Sequence, residues 1–316
     1  MSHKYFYAYA RHALVAGLRH LEVGAGDEIG VPEFICRDLL ASVAAVGAIP
    51  KFYPVDEQLR PLGSGDSEDV RFVLFVNYFG FAQDIDRIQR LWPSAILIED
   101  NAHGYLSKDS SGVNLGTRTS VAITSFRKTI RVPDGAYLHT ATTINTNLIA
   151  PIVTRRPHPS FQLRYWAAVI ERLTSVPMLR TMRRALRFFR HSRTGHELPD
   201  NGNQSESILP LDISASQWTI AKMERLDTSH EVDRRRDLFK KFLDAAKEIG
   251  VRSIFDDLPP GCCPYGFPFI ASETPIEFEK LADKLHCEII SWPDLPSCIT
   301  VEAMHFYRRV KLVNFL

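Results

Sequence analysis

Three short stretches of this chain put reactive side chains where strands or helices begin or end. Glu99-Asp100-Asn101-Ala102-His103-Gly104 follows the apolar run 95–98, and Ser125-Phe126-Arg127-Lys128 follows the run 121–124. Ala10-Arg11-His12 opens a segment with helical apolar spacing. A lysine can form a Schiff base with an aldehyde, and a buried carboxylate can pair with a protonated ring nitrogen. A serine beside a helix N-terminus can bind phosphate through its hydroxyl and the free backbone amides. Carboxylate, lysine, hydroxyl and helix start on one rim would suit an anionic heteroaromatic cofactor. The five cysteines (Cys36, Cys262, Cys263, Cys287, Cys298) are odd in number and have no CxxC spacing or metal-like rhythm with histidine. They predict neither a disulfide framework nor a metal site, and they fit a reducing compartment.

The elements that must position these residues read as an α/β fold. Residues 11–21 place Ala13, Leu14, Gly17, Leu18 and Leu21 on one helical face, and 38–47 read as a second helix. Segments 29–32, 49–53, 70–76, 95–98 and 121–124 are short and apolar, as buried parallel strands are. Residues 82–91 are long enough for a crossover helix. A mostly parallel central sheet with helices on both faces follows, and ligands of such sheets bind at the carboxyl ends of strands. Past residue 207 the chain restarts with helices expected near 214–248 and 275–286 around Pro/Gly punctuation at 259–268. The expected division is therefore a large α/β domain over 1–150, an Arg-rich helical segment and linker over 151–207, and a small α+β domain over 208–316.

Length and composition bound the function classes. The chain has 316 residues, 45% of them hydrophobic and 24% charged, with a formal net charge of +1. Such a chain can bury roughly three quarters of its unfolded surface, and its apolar content excludes disorder as the main theme. Near-neutrality argues against nucleic acid as the first partner, but it is a cancellation. Residues 151–193 hold ten Arg, no Lys and one acidic residue, which leaves 28 basic and 36 acidic residues elsewhere. That segment reads as a solvated amphipathic helix, as a surface facing a substrate's phosphates, or as a dock for an acidic partner or an anionic membrane. The first residues carry no apolar run suited to a signal peptide, and no stretch is apolar enough to span a bilayer, so a cytoplasmic location is expected.

In order along the chain, the segments ARHAL, AGDEIGVPEFIC, VGAIPKFYPVD, FVNYFGFAQDIDRI, AILIEDNAHG, LGTRTSVAITSFRK and PDGAYLHT resemble the DegT-type nucleotide-sugar aminotransferases. These are fold type I pyridoxal-phosphate enzymes. The resemblance fades through 151–205 and returns weakly at LDISASQWTIAKMERLD and CPYGFPFI. It implies pyridoxal 5'-phosphate as cofactor. By the family pattern Asp100 accepts the pyridinium N–H, and His103 sits by the phenolic oxygen or packs on the ring. Ser125 and the backbone at Ala10-Arg11 bind the phosphate. Lys128 carries the Schiff base and, once released, moves the proton between substrate and cofactor carbons.

The chain also departs from that pattern. Relatives place the lysine five residues after the serine, a position held here by Ile130, whereas Lys128 lies three residues after Ser125. Cys36 stands where many relatives stack an aromatic ring on the cofactor, Ala10 where they have glycine, and Gly135-Ala136 where they have paired glycines. The motifs begin almost at the first residue, which reads as a trimmed form of the family. The resemblance implies an aminotransferase acting on a nucleotide-linked keto-sugar, with an amino acid such as glutamate as donor, in the synthesis of surface polysaccharide or a secondary metabolite. It also implies a homodimer with shared active sites. The departures leave open an altered or inactive relative that serves as a sugar-nucleotide or protein-binding scaffold, or an enzyme that dehydrates a sugar instead.

Overall fold

In the computed structural model, residues 2–63, 69–159, 161–163, 165, 166, 170, 203–299 and 306–316 are described. Most of the Arg-rich stretch lies outside them, so the readings of that helix are not addressed below. Seven strands form one sheet in the order β1-β7-β6-β5-β4-β2-β3. They are β1 (His3–Tyr7), β2 (Glu28–Pro32), β3 (Ile49–Tyr53), β4 (Phe72–Val76), β5 (Ile96–Asn101), β6 (Val121–Ser125) and β7 (Ala136–Thr140). The pairings β2–β3, β2–β4, β4–β5 and β5–β6 are parallel, whereas β6–β7 and β1–β7 are antiparallel. β4 and β6 are buried at every residue, which is why their sequences are apolar runs rather than alternating ones. The mostly parallel α/β sheet expected from the sequence is present.

Helix α1 (Ala10–His20) packs on β6 and β7 through the apolar face expected of it. The second helix is shorter than its sequence pattern: a 3₁₀ turn over Arg37–Leu39 leads into α2 (Leu40–Ala44). The crossover helix α3 spans Ile85–Leu91, because Asp84 stops the preceding loop by accepting the Arg87 amide as N-cap. Beyond residue 207, the single helix expected near 214–248 is two. α4 (Gln217–Glu224) ends before Asp227, whose carboxylate accepts the Ser229 and His230 amides and starts α5 (Thr228–Ile249). Then α6 (Ile276–Lys284) joins an antiparallel four-stranded sheet, β10-β11-β9-β8, built from β8 (Arg252–Ser253), β9 (Gly266–Ile270), β10 (Glu288–Ser291) and β11 (Val310–Asn314).

Phenylalanines knit this second lobe together. Phe239 and Phe242 of α5 meet Phe267 of β9, and Phe278 of α6 meets Phe242, Phe267 and Phe269. At roughly 1.5–3 kcal/mol for each buried side chain, that cluster alone can hold α5 and α6 onto the small sheet. The same core continues unbroken into the large sheet. A separate small cluster, Phe126, Ile130, Val132 and Tyr137, lies under the β6–β7 connection. Gly135 makes that tight return with φ +114, where an added Cβ would lie 2.7 Å from Thr219 and 2.8 Å from Phe126. Because the two sheets lie on either side of 151–207 in the chain, we propose the division at 150 and 208 as the boundary between two lobes that share one core.

Candidate active site

The β6–β7 connection is where the spacing of the sequence departs most from the pattern it resembles, and its backbone decides which side chain reaches the sheet's rim. Thr129 and Ile130 both donate to the Phe126 carbonyl, closing a tight turn directly after β6. Ile130 is buried in the small cluster with Phe126 and Tyr137. Lys128 points the other way, into a pocket at the carboxyl ends of β4, β5 and β6. Asp100, His103, Ser125, Ala10, Arg11 and Cys36 line that same pocket, so all seven sequence-selected residues meet in one place. The cavity encloses about 750 Å³ including its open mouth.

At the pocket's floor, Asp100 is the fifth residue of β5 and not a residue beyond its end, so the strand itself fixes its backbone. One of its carboxyl oxygens accepts the Ala102 amide at 2.8 Å. Burial pushes this carboxyl up, opposed by nearby Lys128 and by that amide. Lys128 Nζ lies 2.9 Å from His103 Nε2. The other ring nitrogen of His103, Nδ1, accepts the Phe79 amide at 3.3 Å, so in the neutral ring the proton sits on Nε2. Nε2–H then donates to Nζ, an arrangement open only to an unprotonated lysine. Burial acts in the same direction, lowering both Lys128 and His103.

His103 is held by rings from both lobes. Phe79 and Tyr265 stack on it with centroids at 5.6 and 5.0 Å, and Trp292 meets it edge-on at 4.9 Å. Phe79 has φ 55, a left-handed conformation costly for a bulky residue and repaid here by the amide bond to His103. Arg235 of α5, fully buried, ties the lobes together from below. It donates to the carbonyls of Thr129, Pro264 and Tyr265 and pairs with Glu231 at 2.6 Å. The lysine turn and the ring stacked on His103 therefore share one anchor.

The other end of the pocket is cationic. Tyr9 is the N-cap of α1, and the first helical bonds run from His12 and Ala13 to its carbonyl, which leaves the amides of Ala10 and Arg11 ahead of them. Ser125, the last residue of β6, is buried against this helix start. Arg11 pairs with Asp38 at 3.3 Å, while the Arg127 guanidinium lies 4.7 Å from the centre of the Tyr9 ring. Cys36 borders the pocket just before the 3₁₀ turn, and burial raises its thiol, so it packs as a neutral group.

Residues 7–141 match the DegT/DnrJ/EryC1/StrS aminotransferase family. That span contains every sequence-selected residue of the pocket, and the resemblance read from the motifs stands. No curated protein matches the chain by sequence. Among solved structures, a DegT/DnrJ/EryC1/StrS aminotransferase from Brucella abortus is similar at TM-score 0.58 and 17% identity, covering 99% of this chain and 80% of its own. The E. coli GDP-4-keto-6-deoxy-D-mannose-3-dehydratase with bound hydrated PLP is similar at TM-score 0.61 and 15% identity, with coverage of 99% and 83%. The aminotransferase TlmJ from Streptoalloteichus hindustanus gives 0.60 and 18%, with coverage of 98% and 80%. The fold is thus that of the fold type I enzymes.

Sequence reasoning missed several pocket residues. Tyr78 and Asp38 stand inside or beside motifs already singled out, so their positions were legible but their direction was not. Arg127 lies within the stretch 125–128, but nothing in the sequence singles it out from its neighbours. Trp292 comes from beyond β10, far along the chain, and no local pattern marks it.

Proposed function

We propose that the protein is a pyridoxal-phosphate-dependent sugar-modifying enzyme, and specifically an aminotransferase acting on a nucleotide-linked keto-sugar with an amino acid as donor. The observation that carries this reading is the convergence in one pocket of a lysine whose pKa burial lowers, a buried carboxylate, and a helix start flanked by Ser125 and two arginines. The residues present fit that cofactor. Among the described residues nothing donates to the second carboxyl oxygen of Asp100, and a protonated ring nitrogen would supply the partner that burial makes it need. When bound, the cofactor supplies an aldehyde for covalent attachment and a ring that withdraws electrons from the reacting carbon.

In this reading the chain's own groups divide the work. Asp100 accepts the ring N–H and keeps that proton in place. Ser125 and the amides of Ala10 and Arg11 hold the phosphate end. Lys128 offers its lone pair at Nζ, and afterwards carries a proton at the same atom. His103 donates from Nε2 to keep that amine in its free-base form, a role at Lys128 rather than on the ring of the cofactor. Trp292 and Tyr78 add aromatic lining to the pocket. The nucleotide sugar, the amino donor and a cytoplasmic setting remain parts of the same proposal. Among the described residues no helix is long and apolar enough to cross a membrane.

A second copy completes the proposed assembly. Ile208, Leu211 and Ile213 are exposed, Leu211 fully, on a strip whose Pro210 carbonyl bonds His12 of α1. An apolar strip tethered to the helix that starts at the pocket is placed for a partner subunit sharing the site. The test is a spectrum. Purified protein mixed with pyridoxal phosphate should gain an imine absorbance that borohydride fixes to Lys128, and Lys128→Ala should lose the band and turnover by about 10⁴-fold. Mass spectrometry of the product separates an amino sugar from a deoxy sugar. Protein that stays colourless after reconstitution would sink the reading.

A further inference from the structure

Arg127 is a half-buried cation with no acidic partner among the described residues. Its Nε is enclosed and has no hydrogen-bond partner, and no carboxylate among the described residues pairs with it. The nearest acidic influence is Asp134, whose carboxylate accepts the Ser216 amide and hydroxyl at 3.1 and 3.0 Å and faces Arg155 at 3.8 Å. Among the described residues the face of Tyr9 lies against the guanidinium, 4.7 Å from the ring centre. The other two arginines nearby are engaged: Arg11 with Asp38, and Arg235 with Glu231 and three carbonyls. An unpaired charge partly withdrawn from water is costly, and a protein retains one where a ligand brings the opposite charge.

The position of Arg127 says which ligand. It lines the pocket two residues after Ser125, and its guanidinium sits over the N-cap of the helix whose first amides open into the same space. A hydroxyl, two backbone amides and a guanidinium make a site for a tetrahedral dianion, since guanidinium offers paired donors matched to phosphate oxygens. We propose that Arg127 is the cationic ligand of a phosphate monoester bound at Ser125 and the start of α1, and that this monoester is the cofactor's own. The proposal rests on the pyridoxal-phosphate reading and adds to it a charged anchor that sequence matching did not assign.

The test compares pyridoxal phosphate with pyridoxal, which has the same aldehyde and ring but no phosphate. Wild type should bind the phosphorylated form more tightly by a ratio that falls about 10- to 100-fold in Arg127→Met, with pyridoxal affinity unchanged. Arg127→Lys should recover part of the ratio, since it keeps the charge and loses the fork. Inorganic phosphate alone should raise the melting temperature of wild type and of Lys128→Ala, but not of Arg127→Met. Because Lys128→Ala forms no Schiff base, a shift there supports the anchor even if the covalent reading fails. Equal weakening of both aldehydes in Arg127→Met would overturn the proposal. So would unchanged pyridoxal-phosphate affinity with a raised KM for the amino donor or the sugar nucleotide, which would make the anion a substrate. Should Arg127→Met not fold, the Arg127→Lys ratio and the phosphate shift of wild type decide the matter alone.

Discussion

Glu99 and Asp100 are neighbours on β5, face opposite sides of the sheet and live in opposite chemical conditions. Glu99 is fully buried and fully answered. Arg118 meets it through Nε at 2.8 Å and through its backbone amide at 3.0 Å, and Asn77 donates to it at 2.8 Å. Arg118 in turn reaches the Gln83 carbonyl and the Asn77 side chain. Asp100 has one backbone amide and a nearby lysine whose charged form burial opposes. Two arginines repeat the contrast: fully buried Arg235 is saturated, whereas half-buried Arg127 has an enclosed Nε with no partner among the described residues. Saturated polar groups hold a fold together, whereas unsaturated ones at a pocket mark where a ligand is expected to complete them.

The comparison can be broken at either face. The largest effect belongs to the saturated side. Arg118→Met leaves Glu99 buried without its cation and should cost about 3–5 kcal/mol in urea unfolding. A loss below about 1 kcal/mol would mean that the network is not structural. On the pocket side, Asp100→Asn should leave the urea midpoint nearly unchanged or slightly higher. A carboxyl that burial raises costs stability at every pH above its folded pKa, and the amide removes that cost. Turnover should nonetheless fall by about 10²-fold, the scale of losing one electrostatic contact to the reacting group. Equal losses of stability and turnover would erase the distinction between the two faces.

The smallest effect sharpens the picture at Lys128. Burial and Arg127 oppose its charged form, Asp100 and Asp38 favour it, and His103 stabilises the free base by donating to Nζ. His103→Leu should therefore move the pH at which apo protein forms an imine with pyridoxal upward by about one unit, the value of one hydrogen bond. A midpoint that stays fixed, or moves down, would mean that Lys128 donates to His103 instead.

Much of this was legible before any coordinates. β3 runs from 49 to 53 as its apolar run indicates, and the pocket residues were found because the motifs fall at strand ends, where a parallel sheet collects its ligands. β1 escaped notice because HKYFY is an edge strand with partly exposed, mixed residues and no apolar run. The direction of Lys128 was not legible either. Whether position 128 or 130 faces the rim depends on how tightly the turn closes on Phe126, and that is set by packing of Ile130 in a small cluster assembled from Phe126, Val132 and Tyr137. Arg127 was not legible, because a sequence shows a charge but not its missing partner.

The bond from Arg235 to the Thr129 carbonyl has a consequence for biosynthesis. Every motif residue of the pocket has been made by the time residue 128 leaves the ribosome, yet the turn that aims Lys128 is secured by a side chain about a hundred residues later. The nascent large sheet can form while its lysine is still unaimed. A competent centre then awaits the arrival of α5, and competence is conferred late in translation, when the second lobe closes.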